Sequence, residues 1–226
     1  INLGDFGKNN EVNDKYNFYD LIKEIENLKT NIRFRISSIE PNLLTDEIIK
    51  FISKSEKFVP HFHIPLQSGS DSVLKLMRRR YDSSLYKSRI KMIKELIPEA
   101  SIGVDVIVGF PGEDDDKFLE SMNFIEALDV SYLHVFTYSE RPNTHALGLG
   151  PIVEKSERKR RTHHYRMLSN KKRRAFDLSH MHTTRDVLFE SNPKNNLLQG
   201  WSDNYIRVAI PYVQGFENRI VSMPLV

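Results

Sequence analysis

Between Asn31 and Tyr138 short β-rich runs alternate with longer helical patterns, and few folds accommodate that rhythm. Strands are expected at Arg33–Ser38, His61–Leu66, Ile102–Val108 and Leu133–Tyr138, with helices near Thr45–Ser53, Asp71–Arg79, Ser83–Leu96 and Asp114–Leu128. An earlier helix at Phe18–Leu28 carries Tyr19, Ile22, Ile25 and Leu28 at spacings of three. Thr45 before Asp46 and Glu47, and Ser70 before Asp71, supply helix-start chemistry. Strands alternating with helices predict βα units around a parallel sheet. With a further strand ending near Ile1–Leu3, the expected form is a partial barrel or an open curved sheet. The chain opens on Ile1 rather than Met, which reads as part of a longer protein.

Gly148, Gly150 and Pro151 end the alternation, and Glu154–Asp177 then reads as one long basic helix. Lys155–Arg174 holds ten Lys and Arg residues against the single acid Glu157. Short β runs follow at Asp186–Glu190, Tyr205–Ile210 and Arg219–Met223, with turn chemistry at Pro193, Asn195, Asn196 and Gly200. Three parts are expected: residues 1–150 as the βα part, 151–178 as a connecting helix, and 179–226 as a small all-β barrel module.

A strand buried in a parallel sheet is ordinarily apolar on both faces. His61–Gln67 departs from this by parity: Phe62, Ile64 and Leu66 share one face, and His61, His63, Pro65 and Gln67 share the other. Asp105 lies between Gly103 and Ile107, His134 aligns with Tyr132, Phe136 and Tyr138, and Arg33, Arg35 and Ser37 align on the first strand. One polar face repeated on neighbouring strands predicts a lined cavity. Taken singly, His63 or His134 fits a hydrogen-bonded core histidine, and Asp105 fits a buried, satisfied carboxylate or a site residue equally well. Ligands of parallel αβ folds sit at the carboxyl ends of strands. The loops expected there are Ser37–Pro41, Gln67–Ser70, Gly109–Glu113 and Ser139–Thr144, all rich in small, hydroxyl or turn residues. Arg141 at a strand end suits a carboxylate or phosphate.

The whole chain has 226 residues, 33 Lys+Arg, 30 Asp+Glu and no cysteine. Disulfides, thiolate metal sites and thiol nucleophiles are therefore excluded within it. No apolar run approaches the roughly 18–20 residues that cross a bilayer, no membrane partner is expected, and the opening INLGDFGKNNEVND has neither the basic head nor the apolar stretch of a signal peptide. A cytoplasmic protein is expected. The concentrated positive charge of the long helix favours nucleic-acid phosphate. Arg78 lies in a second basic cluster, and Arg185, Trp201, Tyr205 and Arg207 combine cationic and stacking groups.

HIPLQSGSDSVLKLMRRRY (63–81), GVDVIVGFPGED (103–114) and HVFTYSERPNT (134–144) resemble the radical S-adenosylmethionine methylthiotransferases. RFRISSIEPNLLT (33–45) is most similar to the branch acting on threonylcarbamoyladenosine at tRNA position 37, and residues 177–226 resemble that family's RNA-binding TRAM module. The resemblance implies an α/β fold: a partial parallel βα barrel of radical SAM type followed by a small all-β TRAM-like barrel. It implies S-adenosyl-L-methionine cleaved by a 4Fe-4S cluster to a 5′-deoxyadenosyl radical that takes hydrogen from C2 of the adenine. Sulfur then comes from an auxiliary cluster site and the methyl group from a second S-adenosylmethionine. The tRNA anticodon stem-loop is the implied partner, and the sulfur donor is left open. Gln67, Ser68 and Ser70 would lie near the cofactor's ribose or methionine part. Val108, Phe110 and Glu113 would border its adenine, Ser37, Ser38 and Glu40 would face the cofactor or reacting base, and Asp105 joins the cofactor-facing set. Arg141 is the substrate contact, and Arg78, Arg158, Arg160, Arg161, Lys171, Lys172, Arg173, Arg174, Arg185 and Arg207 are the RNA contacts. The family's C-x3-C-x2-C loop is not in this sequence, so no catalytic residue and no metal ligand is expected from this chain alone. A non-catalytic RNA-binding protein on the same scaffold is the alternative. A hydrolase using His63 and Asp105 has no nucleophile or metal set of proper spacing in the sequence, and ranks last.

Overall fold

The structure is a computed structural model that describes residues 2–7, 16–191, 193 and 195–226. Its elements run α1 (Phe18–Glu26), β1 (Phe34–Ile36), α2 (Asp46–Ile52), β2 (Phe58–His63), α3 (Asp71–Leu76), α4 (Ser83–Leu96), β3 (Ser101–Val108), α5 (Asp115–Ala127), β4 (Tyr132–Thr137) and α6 (Lys155–Ser179). Four further strands follow: β5 (Thr184–Phe189), β6 (Leu197–Ser202), β7 (Arg207–Pro211) and β8 (Ile220–Pro224). The strand expected near Ile1–Leu3 is replaced, within the described residues, by a 3-10 turn at Leu3–Asp5.

Local chemistry sets the helix starts. Thr45, Asp82 and Asp114 accept hydrogen bonds from the backbone N–H groups of Ile48, Leu85 and Lys117, and Asn17 and Asp20 close a reciprocal capping box. Ser70 does not cap α3; its hydroxyl instead donates to Glu120 Oε2 at 2.5 Å.

The first sheet is parallel throughout, in the order β1-β2-β3-β4. Phe62, Ile64, Leu66, Val104, Val106 and Val108 all point to its helix-covered face and are at most 1% exposed. Each such side chain contributes roughly 1.5–3 kcal/mol through removal from water, which fixes the parity of the strands. The expected strand through Leu66 stops at His63 because the backbone changes partners. The Ile64 and Leu66 N–H groups still reach β3, but the Ile64 carbonyl accepts from Tyr86 and those of Pro65 and Leu66 accept from Tyr81.

The long helix α6 is no free connector. Tyr165 and Leu168 belong to the core of the parallel sheet, and Phe176 belongs to the core of the second unit. Along β4, Ser169 Oγ accepts from the Leu133 N–H at 2.9 Å and donates to the Leu133 carbonyl at 3.0 Å. The helix thus covers a sheet edge that would otherwise present unpaired backbone groups.

The second sheet is antiparallel, in the order β7-β6-β5-β8, around Val187, Phe189, Leu198, Ile206 and Leu225. Strand β6 departs from the sequence reading, which places Gly200 in a turn. It lies inside the strand, where a Cβ would meet the Leu188 carbonyl oxygen at 2.6 Å, so the position requires glycine for packing. Asn195 and Asn196, with φ of 52° and 60°, do form the preceding turn. Among the described residues no helix is long and apolar enough to cross a membrane.

Candidate functional site

The face of the parallel sheet opposite its apolar, helix-covered face carries the polar set expected from parity; Tyr205 and Arg173 cover its His61–Tyr132 end, and His134 is exposed. His63 Nε2 lies 2.7 Å from Asp105 Oδ1, and Asp105 pairs in register with His134. The His63 and His134 rings meet edge to face at 5.3 Å. Deeper, His61 Nε2 lies 2.9 Å from the Tyr132 hydroxyl. The Tyr132 ring lies directly over Gly103, where an added Cβ would come within 2.4 Å of it. Burial, reinforced by Arg35, pushes the His61 imidazole down to about 3, and burial also lowers His134. Both rings are therefore neutral at ordinary pH. Desolvation raises the Tyr132 hydroxyl out of reach of ordinary titration.

The carboxyl ends of three neighbouring strands share a backbone device. Ser38 after β1, Gln67 after β2 and Gly109 after β3 have φ of 64°, 73° and 76°. For Ser38 and Gln67 the left-handed region costs of order 1 kcal/mol each. Such turns carry the chain away from its strand, and their backbone groups are engaged within the protein: the Gln67 N–H donates to the Asp105 carbonyl at 2.8 Å, and the Ser38 carbonyl accepts from Leu3 at 3.2 Å. The Gln67–Ser70 loop is fixed from below. The Gly69 N–H donates to Ser121 Oγ at 2.7 Å, and Tyr165 donates to the same oxygen at 2.7 Å. Ser68 and Ser70 are buried, and the Ser70 hydroxyl is held by Glu120. Gln67 is half-buried and Ser37 is exposed at the rim.

Val108 and Phe110 are buried beside the third loop. A cavity of about 270 Å³ opens there between Leu76, Ile107, Phe110, Tyr138 and Leu149, with the Phe110 and Tyr138 rings edge to face at 5.3 Å. Glu113 lies below it. Its carboxylate accepts from the Gly109 N–H at 3.0 Å and from Arg161 at 2.9 Å, so it braces the loop. Burial pushes the Glu113 carboxyl up against the pull of Arg161. Glu40 lies near β1 and pairs with Arg79 at 3.1 Å, beside a second cavity of about 480 Å³ that Arg78 and Arg80 also line. Arg141 is exposed beyond β4.

The basic helix needs correction as a phosphate surface. Arg158 is 3% exposed; it donates to the Val153 and Tyr138 carbonyls and pairs with Glu140. Arg161 is equally buried and binds Glu113, Asp115 and Glu157. Lys172 donates to the Glu126 and Leu128 carbonyls, and Arg173 lies over the Tyr132 ring at 4.0 Å. These four hold the helix to the sheet, because a charge placed on a buried face must find a partner. Lys155, Lys159, Arg160, Arg166, Lys171 and Arg174 remain on the exposed side, where Arg160 pairs with Glu157 and Lys171 with Glu126. In the second unit Arg185 pairs with Asp203, while exposed Arg207 lies over the Trp201 ring at 4.9 Å and pairs with Glu190. Residues not marked out by sequence patterns are Glu120 and Ser121, which hold the Gln67–Ser70 loop from α5. A short polar insertion in an amphipathic helix was their one signal.

The sequence profile of the Radical SAM superfamily matches residues 10–125. The threonylcarbamoyladenosine tRNA methylthiotransferase MtaB of Bacillus subtilis (strain 168) is 34% identical over 230 residues, covering all of this chain and 50% of its own length. Its counterpart of the same name in Aquifex aeolicus (strain VF5) is 40% identical over 161 residues, 71% of this chain and 39% of the relative. The tRNA-2-methylthio-N(6)-dimethylallyladenosine synthase of Symbiobacterium thermophilum is 34% identical over 209 residues, 91% of this chain and 44% of the relative. The chain thus spans about half the length of the curated relatives it matches. The profile match takes in more than half of the chain, which belongs to the radical SAM superfamily.

Proposed function

We propose that this chain is the cofactor- and RNA-binding part of a tRNA methylthiotransferase, acting on threonylcarbamoyladenosine at position 37 in the anticodon stem-loop. The observation that carries the reading is the rim of three consecutive left-handed strand ends, Ser38, Gln67 and Gly109, beside an apolar cavity at Phe110 and Tyr138. These residues fit S-adenosyl-L-methionine. The half-buried Gln67 side-chain amide suits its ribose and amino acid portion, and the cavity suits a flat heterocycle. Ser68, Ser70 and Glu113 serve by holding the loops in place. The names of the relatives supply the substrate class.

Iron–sulfur clusters are held by thiolates, and this chain has no cysteine, so its own residues do not fit the 4Fe-4S cluster that the superfamily implies. The contribution assigned to this chain is therefore binding: the rim orients the cofactor, the helix-packed sheet excludes water beneath it, and Arg141 meets an anionic group of the substrate. Exposed Lys159, Arg160, Arg166, Arg174 and Arg78 approach tRNA phosphates, with the Trp201–Arg207 face as a stacking surface in a TRAM-like role. The reaction belongs to a cytoplasmic setting, where tRNA is modified.

Nucleoside mass spectrometry of tRNA from cells with the gene disrupted tests the reading. The methylthio group should vanish from threonylcarbamoyladenosine and persist on dimethylallyladenosine. Loss from dimethylallyladenosine alone would assign the other branch, and no change in either nucleoside would overturn the enzymatic reading. The absence of cysteine favours a second reading, an RNA-binding protein on the same scaffold. Both readings require tRNA binding whose log affinity falls steeply with log salt, by about 0.9 for each phosphate contact. The gene disruption separates them.

A further inference from the structure

We propose that His63, Asp105 and His134 form a binding site for one divalent transition-metal ion on the polar face of the parallel sheet. One ligand atom from each residue lies within 4.8 Å of the other two, and His63 Nε2 already stands 2.7 Å from Asp105 Oδ1. Metal–nitrogen and metal–oxygen bonds of roughly 2.0–2.2 Å place neighbouring ligand atoms about 3 Å apart, so His134 need close in by only an ångström or two. Rotation of an exposed imidazole supplies that movement, and His134 is the exposed member of the three.

The backbone presents the ligands rigidly. They come from β2, β3 and β4, three adjacent strands of one sheet, with Asp105 and His134 in direct register. Two imidazoles and one carboxylate suit zinc, cobalt, nickel or iron(II), and discriminate against magnesium and calcium, which take all-oxygen sets. Three protein ligands leave positions open to water or to an oxygen anion on the solvent side of His134. The charges facing the site from neighbouring elements are Arg35 and Arg173, held against the Tyr205 and Tyr132 rings. They oppose a cation and are offset in part by Asp105. The site adjoins the rim assigned to S-adenosylmethionine, since the Gln67 N–H donates to the Asp105 carbonyl at 2.8 Å. The inference rests on the geometry of the three side chains, and its test uses the metal alone, so it stands or falls apart from the tRNA reading. Because the chain has no cysteine, thiolate binding cannot imitate the signal.

The test is titration of the 226-residue chain, free of any histidine tag, with cobalt(II) in metal-free buffer, followed by visible absorption and by thermal unfolding. One equivalent should bind with the absorption bands of nitrogen- and oxygen-ligated cobalt. Zinc(II) should displace it, magnesium should not, and the unfolding temperature should rise. His134→Ala should weaken binding at least about tenfold while leaving the circular dichroism unchanged. Asp105→Asn should act in the same direction. His163→Ala/His164→Ala, on exposed α6, should leave binding intact. Absence of a stoichiometric cobalt spectrum would overturn the proposal. So would binding that survives His134→Ala, or that disappears with the His163/His164 variant.

Discussion

His61 is a histidine in the middle of a parallel sheet, 2% exposed, with its Nδ1 unpartnered and its ring 4.3 Å from that of Tyr205. Burial, with Arg35 and Arg173 nearby, lowers its pKa from 6.5 to about 3. Above pH 6.5 both folded and unfolded chains hold it neutral, and it costs nothing. Below 6.5 the unfolded chain takes up a proton that the folded chain refuses. Stability then falls by about 1.4 kcal/mol per pH unit until the folded form also protonates near pH 3. Urea unfolding at pH 6.5 and pH 5.0 should therefore show the native chain losing about 2 kcal/mol more than His61→Asn does. His134 shifts in the same direction and cancels in that comparison. Equal losses in both proteins would mean that His61 is charged or solvated in the fold. The side of the strand on which His61 lies was legible from the alternation in His61–Leu66, since parity depends only on neighbours. Its environment was not, because Tyr132 and Tyr205 arrive from positions 71 and 144 residues away.

Helix α6 shows where charge counting fails at the scale of an element. Its ten basic residues read as one polyanion-binding surface, yet the helix is amphipathic in a second sense, with cations on its buried stripe as well as its exposed one. Arg158 and Arg161 lie three apart, one turn before buried Thr162 and Tyr165 on the stripe that faces the sheet. Their partners Glu140 and Glu113 come from loops and Asp115 from the first residue of α5, and local patterns do not place any of them against α6. The Glu113–Arg161 pair is both buried and doubly bonded, with Arg161 reaching the Glu113 backbone carbonyl as well as its carboxylate. Arg161→Met removes one partner and leaves the carboxylate behind, which should cost about 3–5 kcal/mol in denaturant unfolding. Glu113→Gln/Arg161→Met should recover a substantial part of that loss, because the abandoned charge is gone. If the double variant is no more stable than the single one, the pair is not what holds the Gly109–Glu113 loop. Lys159 and Arg166, on the exposed side, should affect RNA affinity without this loss of stability.

The two sheets form one molecule through a small number of contacts, and Tyr205 is the centre of them. It follows β6 in the left-handed region at φ 68°, stacks on Trp201 at 4.4 Å, meets His61 at 4.3 Å and has the Arg35 guanidinium over its face at 4.4 Å. Arg173 donates to its carbonyl, and Arg33 of the first sheet's edge donates to the Asp186 carbonyl. Around this junction lies a cavity of about 640 Å³, between Arg33, Arg35, Leu188, Trp201 and Tyr205. The sequence announced a β-rich module after a basic helix, but not that its one tryptophan would be tied to a histidine of the first sheet. That coupling is readable only in three dimensions. Tyr205→Gly keeps the left-handed backbone accessible while removing the ring, so it isolates the stacking contribution, about 2 kcal/mol for a half-buried aromatic of this kind. Trp201 is the only tryptophan and reports on the second unit, whereas far-ultraviolet circular dichroism is dominated by the helices of the first. In the native chain the two signals should share one midpoint in urea, since α6 contributes Tyr165 and Leu168 to one core and Phe176 to the other. In Tyr205→Gly the fluorescence midpoint should fall below the dichroism midpoint, as the module opens before the helix-covered sheet. Coincident midpoints in the variant would place the coupling in α6 alone, with Tyr205 a surface ring rather than the link between the two sheets.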